Sequence, residues 1–307
     1  MKAKKKSIIA AALSFSLIAG SFTAMAETQD VNIFTTDFDS YQIGDAGSAT
    51  AAFTRLPYAT DKIVAGWGST NAASIAGVTK DDAHGTSMEL NDWWQTVDIN
   101  LPTPCKAGDK VLVSFDVLAT DVTSTGQLKI LGNNGDNFEG TLQVKWDGSQ
   151  VDYYHNGSVI KEQVMPVGEW SNVAFYIDHE NNKCVTYING KRVCESDLLG
   201  EKTPLSSVHF QTEQLDCKMY IDNLEVKHTF KISDETENVV ATYSAAKQGG
   251  ATVYVAAYNN SGVLLDVILQ KGVSGRVTMP KVEGAVEYKA FLWDDNNMPL
   301  CSAESLQ

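Results

Sequence analysis

Strict alternation of apolar and polar residues, cut at short intervals by turn dipeptides, is the feature that most restricts the fold of this 307-residue chain. Val111, Val113, Phe115 and Val117 alternate with Leu112, Ser114, Asp116 and Leu118, the period-two pattern of a strand with one buried face. Leu142, Val144 and Trp146 alternate with Thr141, Gln143 and Lys145. Asp147-Gly148 then leads into Val151–His155, and Asn156-Gly157 turns the chain again. Such dipeptides supply the positive φ of tight hairpins, so this stretch predicts a β-meander. Further strands are expected at Val173–Ile177, Cys184–Ile188, Ser207–Thr212 and Met219–Val226. No amphipathic helix is evident, and so many short strands imply a two-sheet sandwich.

The polar stretch His228–Asn238, with its acidic run Asp234-Glu235-Thr236-Glu237, interrupts the pattern. Strands resume near Val239–Ala245, Thr252–Tyr258, Val263–Gln270, Arg276–Met279 and Glu287–Trp293. The expected organisation is a large β domain over 27–231 and a small β-sandwich over 232–307.

Residues 1–26 read as a secretory leader. Lys2, Lys4, Lys5 and Lys6 precede an apolar run from Ile8 to Gly20, and Ala24-Met25-Ala26 offers a small-residue cleavage site. The apolar run is too short to span a bilayer. The expected location is therefore extracellular, with retention at the cell wall left open. The leader carries four Lys and no acid, so the remainder has 20 Lys+Arg against 38 Asp+Glu, a net charge near −18. Such a surface repels phosphate backbones and anionic lipid heads, which argues against nucleic acid and membrane partners and favours a neutral ligand. A monomer is expected. The five cysteines are too few for a disulfide scaffold. Cys184 and Cys194 flank the Asn189-Gly190 turn, but a two-residue turn sets 184 opposite 195, one step off a bridge.

Several segments carry a family likeness. Trp170–Asp178 followed by Val185–Lys191 resembles the central hairpin of concanavalin A-like, laminin G-like jelly rolls. Thr36-Asp37-Phe38-Asp39-Ser40-Tyr41 is similar to that family's opening strand, His84–Leu90 to an inner strand and Tyr220–Val226 to its closing strand. The resemblance covers about residues 34–228 and implies an all-β concanavalin A-like jelly-roll sandwich. The fold serves lectins, carbohydrate-binding modules, glycosidases and lyases alike, so it does not decide between them. The tail, with Val255–Tyr258 and Lys289–Asp294, is similar to small immunoglobulin- or fibronectin III-like modules of secreted bacterial proteins, which implies an auxiliary role.

In related carbohydrate-binding sandwiches a closing-strand Asp and opening-strand oxygens hold a structural Ca²⁺, which the resemblance carries to Asp222 with Asp37 and Asp39. Alternation leaves the facing of Asp222 open. Tyr220, Leu224 and Val226 share its parity, whereas Met219 and Ile221 do not. If it faces the core it needs a cation or several donors to offset lost hydration. Otherwise it caps a turn or faces water.

Aromatic rings are the usual platforms for sugars, because a ring face packs on pyranose C–H groups. Val97, Ile99 and Leu101 point one way, leaving Trp94, Thr96, Asp98 and Asn100 on the other face. Val151 and Tyr153 likewise leave Asp152 and Tyr154 opposite. Trp94, Tyr154, Trp67 and Asp98 are thus the candidate sugar-binding residues. Trp93, Trp146, Trp170 and Trp293 read as core. No closely spaced carboxylate run of the glycosidase kind occurs, and Asp178-His179-Glu180 falls in a hairpin loop. The expected function is non-catalytic binding of a polysaccharide or oligosaccharide. A glycoside hydrolase or polysaccharide lyase on the same fold, or an adhesion protein, are the alternatives.

Overall fold

The computed structural model describes residues 32–39, 74–77, 84–90, 96–123, 125–132, 139–145, 148–199, 203–213, 217–246, 248 and 250–307. Every regular element among them is a strand. The first nine are β1 Asn32–Thr36, β2 Ser74–Gly77, β3 Thr86–Leu90, β4 Thr96–Asn100, β5 Lys110–Thr120, β6 Gly126–Gly132, β7 Glu139–Val144, β8 Gln150–His155 and β9 Ser158–Pro166. Next come β10 Ser171–Asp178, β11 Lys183–Ile188, β12 Lys191–Asp197, β13 Ser207–Glu213 and β14 Lys218–His228. The rest of the chain adds β15 Phe230–Glu235, β16 Asn238–Ser244, β17 Ala251–Tyr258, β18 Leu264–Gly272, β19 Ser274–Pro280, β20 Glu287–Trp293 and β21 Glu304–Leu306.

Two antiparallel sheets form the first sandwich. One runs β12-β11-β10-β5-β14-β3-β2, with β1 also paired to β14; the other runs β4-β13-β6-β7-β8-β9. Their facing rows interdigitate, with Phe115 edge-on to Phe210 at 5.2 Å and tilted against Phe175 at 6.4 Å. Val111, Val113, Phe115 and Val117 supply the inner row of β5, and Leu142, Val144, Val151 and Tyr153 that of β7 and β8. Alternation thus sorts residues between core and outer face. The meander β6-β7-β8-β9 and the hairpins β10-β11 and β11-β12 are present, the first hairpin turning through His179–Asn182 and the second at Asn189 and Gly190, both at positive φ.

A second sandwich pairs the three-stranded sheet β15-β16-β19 with the four-stranded sheet β18-β17-β20-β21. The polar stretch after His228 is itself strand, β15, separated from β14 by Thr229 alone. Thr229 is fully buried and donates its N–H to Lys110 O, so the chain passes between the sandwiches without a solvated linker.

The second core does not stop at its own strands. Leu112, Ala174, Tyr176, Val185 and Tyr187, on the outer face of the eight-stranded sheet, belong to the same buried cluster as Phe230, Tyr243, Val253, Val255 and Leu292. Hydrogen bonds tie the seam. Tyr187 Oη donates to Asp294 Oδ2 at 2.5 Å, Ala246 N–H donates to Tyr176 Oη at 2.8 Å, and Ser302 N–H donates to Asp178 Oδ2 at 3.1 Å. The Lys110 side chain, 1% exposed, donates to Glu304 and lies 3.8 Å from Glu180. This seam explains why β5 is buried on both faces.

Trp293 does not lie in the core as expected. Leu292 takes the inner position and Trp293 sits half-buried on the outer face, 5.0 Å from Tyr254 and 6.2 Å from Phe291. All five cysteines are free thiols. A register shift between Thr186 and Tyr187 sets Cys194 opposite Thr186 and Cys184 opposite Ser196, so neither faces the other across the hairpin.

Candidate functional site

Tyr154, one of the four expected sugar contacts, lies on the outer face of the six-stranded sheet. Because Val97, Phe210, Ile130, Leu142 and Tyr153 point inward, their neighbours project outward. Register aligns these into cross-strand rows. Gln211, Lys129, Thr141 and Tyr154 form one row across four strands, with Thr96 at the matching backbone register position of β4. Glu213, Gln127, Gln143 and Asp152 form the next.

Charge on this face is held in place. Lys129 Nζ lies 2.8 Å from Glu213 and 3.7 Å from Glu139. Burial pulls the Lys129 ammonium down, yet these carboxylates more than offset it and leave its pKa raised. Asp152, buried although outward-facing, accepts the Gln163 N–H at 2.8 Å and sits 3.5 Å from Lys145 Nζ. Tyr154 stands half-buried beside this pair, its hydroxyl pKa raised by burial first and by Asp152 second. Gln163, at φ 56°, marks the irregular pairing that brings β9 over Asp152.

Of the other expected sugar residues, Asp98 occupies a register position in β4 opposite His209. Trp94 and Trp67 lie outside the described residues, as do Trp93, Trp146 and the leader. The strand order puts β4 and β8 four strand spacings apart, about 19 Å at the usual interstrand distance. The backbone positions of Asp98 and Tyr154 are therefore at opposite ends of the sheet.

A second polar group lies on the outer face of the eight-stranded sheet. Asp222 is opposite Asp116 in the β14–β5 ladder, and a bulge follows between Asp222 and Glu225, with Asn223 at φ 48°. The bulge shifts parity. Met219 and Ile221 before it, and Leu224 and Val226 after it, all reach the same core, while Asp222 joins Asp116 on the other side. Asp116 is well furnished, accepting from Asn172 Nδ2 at 2.8 Å and Asn223 Nδ2 at 2.9 Å, with His84 Nε2 at 3.1 Å. The His84 ring stacks on Trp170 at 4.1 Å and 9°. Trp170 is thus a half-buried support for His84 rather than a member of the inter-sheet core.

Asp222 is only 1% exposed. Its Oδ1 accepts the Asn223 N–H at 2.7 Å, but Oδ2 is buried without a hydrogen-bond partner. Burial pushes its pKa up to about 7, aided by the nearby Asp39 and Asp116 carboxylates and opposed by Asn223 N–H and His84. That orphaned oxygen suits the calcium ion implied by the resemblance. The other two expected ligands are engaged locally. Asp37 Oδ1 accepts the Asp39 N–H at 3.1 Å, and Asp39 Oδ1 accepts from Thr86 N–H at 2.7 Å and Oγ1 at 3.2 Å. Among the described residues no group of three or more His, Cys, Asp or Glu side chains is arranged to hold a metal.

Alternation in the sequence identified Tyr154 as outward-facing. It could not reveal the Asp116–His84–Asn172–Asn223 cluster, whose members come from four separate segments. The only local signal was Asp116 itself, the one carboxylate in β5.

No protein-family model and no curated protein matches the chain. Among solved structures it is similar to the globular domain of T. cruzi calreticulin (12% identity, 64% of this chain and 88% of that one, TM-score 0.41). It is also similar to carbohydrate-binding module CBM66 from Bacillus subtilis (14% identity, 50% and 91%, TM-score 0.32). A sialidase is matched over 50% of this chain but only 16% of its own length (14% identity, TM-score 0.37). At these identities and scores the likeness does not reach to function.

Proposed function

We propose that this is a secreted, non-catalytic carbohydrate-binding protein whose ligand, a neutral polysaccharide or oligosaccharide, lies along the outer face of the six-stranded sheet. The observation that carries this reading is the row Gln211–Lys129–Thr141–Tyr154, which sets amide, ammonium and hydroxyl groups beside a half-exposed ring. A ring face with flanking hydrogen-bonding groups is the chemistry that sugars require. Asp98, Trp94 and Trp67 are the other residues proposed to contact sugar.

The arrangement gives little support to a lyase or hydrolase. His209 on β13 and Tyr154 on β8 are three strand spacings apart, about 14 Å, too far to share one proton transfer. Lys129 is committed to Glu213 and Glu139. Glycan-array retention combined with an assay for new reducing ends tests the proposal. Retention without cleavage, weakened in Tyr154→Ala, is the expected result; cleavage of any retained glycan sinks it.

A structural Ca²⁺ at Asp222, with Asp37 and Asp39, belongs to the same proposal and rests on the unpartnered Oδ2 of Asp222. Added calcium should raise the melting temperature and a chelator should lower it, and Asp222→Asn should abolish both shifts. An identical melting curve in calcium and chelator removes the ion from the account.

A further inference from the structure

The sheets of this protein end in edge strands that are almost all guarded. Strand β9 carries Lys161, Glu162 and Pro166 and two register irregularities against β8. Strand β12 reads KRVCESD, β15 carries Lys231, Asp234 and Glu235, and β19 has Arg276 and ends at Pro280. Strands β2, β4 and β21 have five residues or fewer. Short, charged, proline-bearing or bulged edges are the devices that prevent strand-to-strand association.

Strand β18 is guarded only near its ends, by an irregularity against β17 at Leu265 and by Asp266 and Lys271, and its middle, Val267–Gln270, carries no charge, proline or bulge. It spans nine residues, LLDVILQKG, and pairs only with β17 at the end of its sheet. Leu264, Leu265 and Leu269 are 45, 39 and 57% exposed, and the flanking Val263 and Val273 are 55 and 42% exposed. In a chain of net charge −14, this strand holds one Asp and one Lys and is locally neutral.

We infer that β18 is the edge by which two copies of this chain join, antiparallel about a two-fold axis passing Ile268. A two-fold normal to a sheet sets one residue opposite itself and makes the contact close on itself. Centred on Ile268, it places Val267 opposite Leu269 of the second copy and Asp266 opposite Gln270. No carboxylate meets another, which matters for two strongly acidic bodies. This register brings a charge against an aliphatic side chain only at the third step from the axis, Leu265 against Lys271; moving the axis to Leu269 does so at the second step, Val267 against Lys271, and moving it to Val267 at the first, Asp266 against Ile268. Pairing also satisfies the outward backbone groups of both strands. The two four-stranded sheets become one of eight, with the half-buried Tyr254, Phe291 and Trp293 of each copy on a shared outer face.

Sedimentation velocity of the full-length protein across a dilution series tests this. The expected result is a reversible species of twice the chain mass. Leu269→Lys and Val267→Lys, each checked for native circular dichroism, should raise the dissociation constant more than about tenfold. Val159→Lys, on the guarded edge β9, should leave it unchanged. A monomer at every concentration overturns the inference, as does a dimer that survives both β18 substitutions.

Discussion

Tyr153 and Tyr154 show how far one residue step decides chemistry. Tyr153 is sealed between the sheets, with its hydroxyl 3.2 Å from Thr186 Oγ1, and burial raises its pKa well above the usual phenol range. Tyr154 faces outward in the row that we assign to ligand. Tyr154→Ala should therefore weaken glycan binding about tenfold, the worth of about 1.4 kcal/mol, with little change in melting temperature; titration calorimetry and a thermal melt read the two effects separately. Space is equally decisive at Gly140 on the core side of β7. A Cβ there would lie 2.9 Å from Phe175 Cζ and 3.1 Å from Tyr153 Cε2. Gly140→Ala should cost about 1–3 kcal/mol of unfolding free energy in urea, because a close-packed core cannot yield that volume without strain.

Among the strands, β14 best displays the limits of period-two reasoning. Alternation identifies it as a strand, and its ends both reach the core. One inserted residue at the bulge reverses the parity between Ile221 and Leu224, so no single face assignment fits the whole strand. Asn223 makes this possible by accepting φ 48° while its side chain holds Asp116. Asn223→Ala keeps a Cβ in the left-handed region and leaves Asp116 one donor short. We expect a loss of about 1–3 kcal/mol, measured by chemical denaturation. The strand was legible in the sequence, but the bulge was not. Its signal is a single Asn whose conformation is set by what the neighbouring β5 presents.

At the scale of the molecule, the two sandwiches share one buried seam, and that predicts how the protein unfolds. Calorimetry should show a single transition covering both halves. Tyr187→Phe, which deprives Asp294 of a buried hydroxyl donor, should lower the stability of the whole by about 1.5–3 kcal/mol. Asp178 gives the seam a pH dependence. Burial alone would raise its pKa, but hydrogen bonds from Ser302 and Asn181 outweigh it and hold the carboxyl below its ordinary value. A depressed folded pKa stabilises above the unfolded value of about 3.9 and is lost as pH falls through the lower folded value. Asp178→Asn should thus be less stable than the parent at neutral pH, and the gap should close in acid below about pH 4. A gap that stays constant across that range would falsify the assignment.

What the amino-acid order determined without help was local: an all-β chain, the place of its hairpins and the outward aspect of Tyr154. These follow from alternation and turn chemistry within a few neighbouring residues. The tertiary structure alone decided that the second sandwich is fused to the first, that Trp293 faces outward, and that Asp222 joins Asp116 on the outer face of the eight-stranded sheet. Each depends on surfaces that meet across long sequence separations. Leu112 is the plainest instance, since it points away from its own sandwich and is nevertheless fully buried, by strands more than a hundred residues further along the chain.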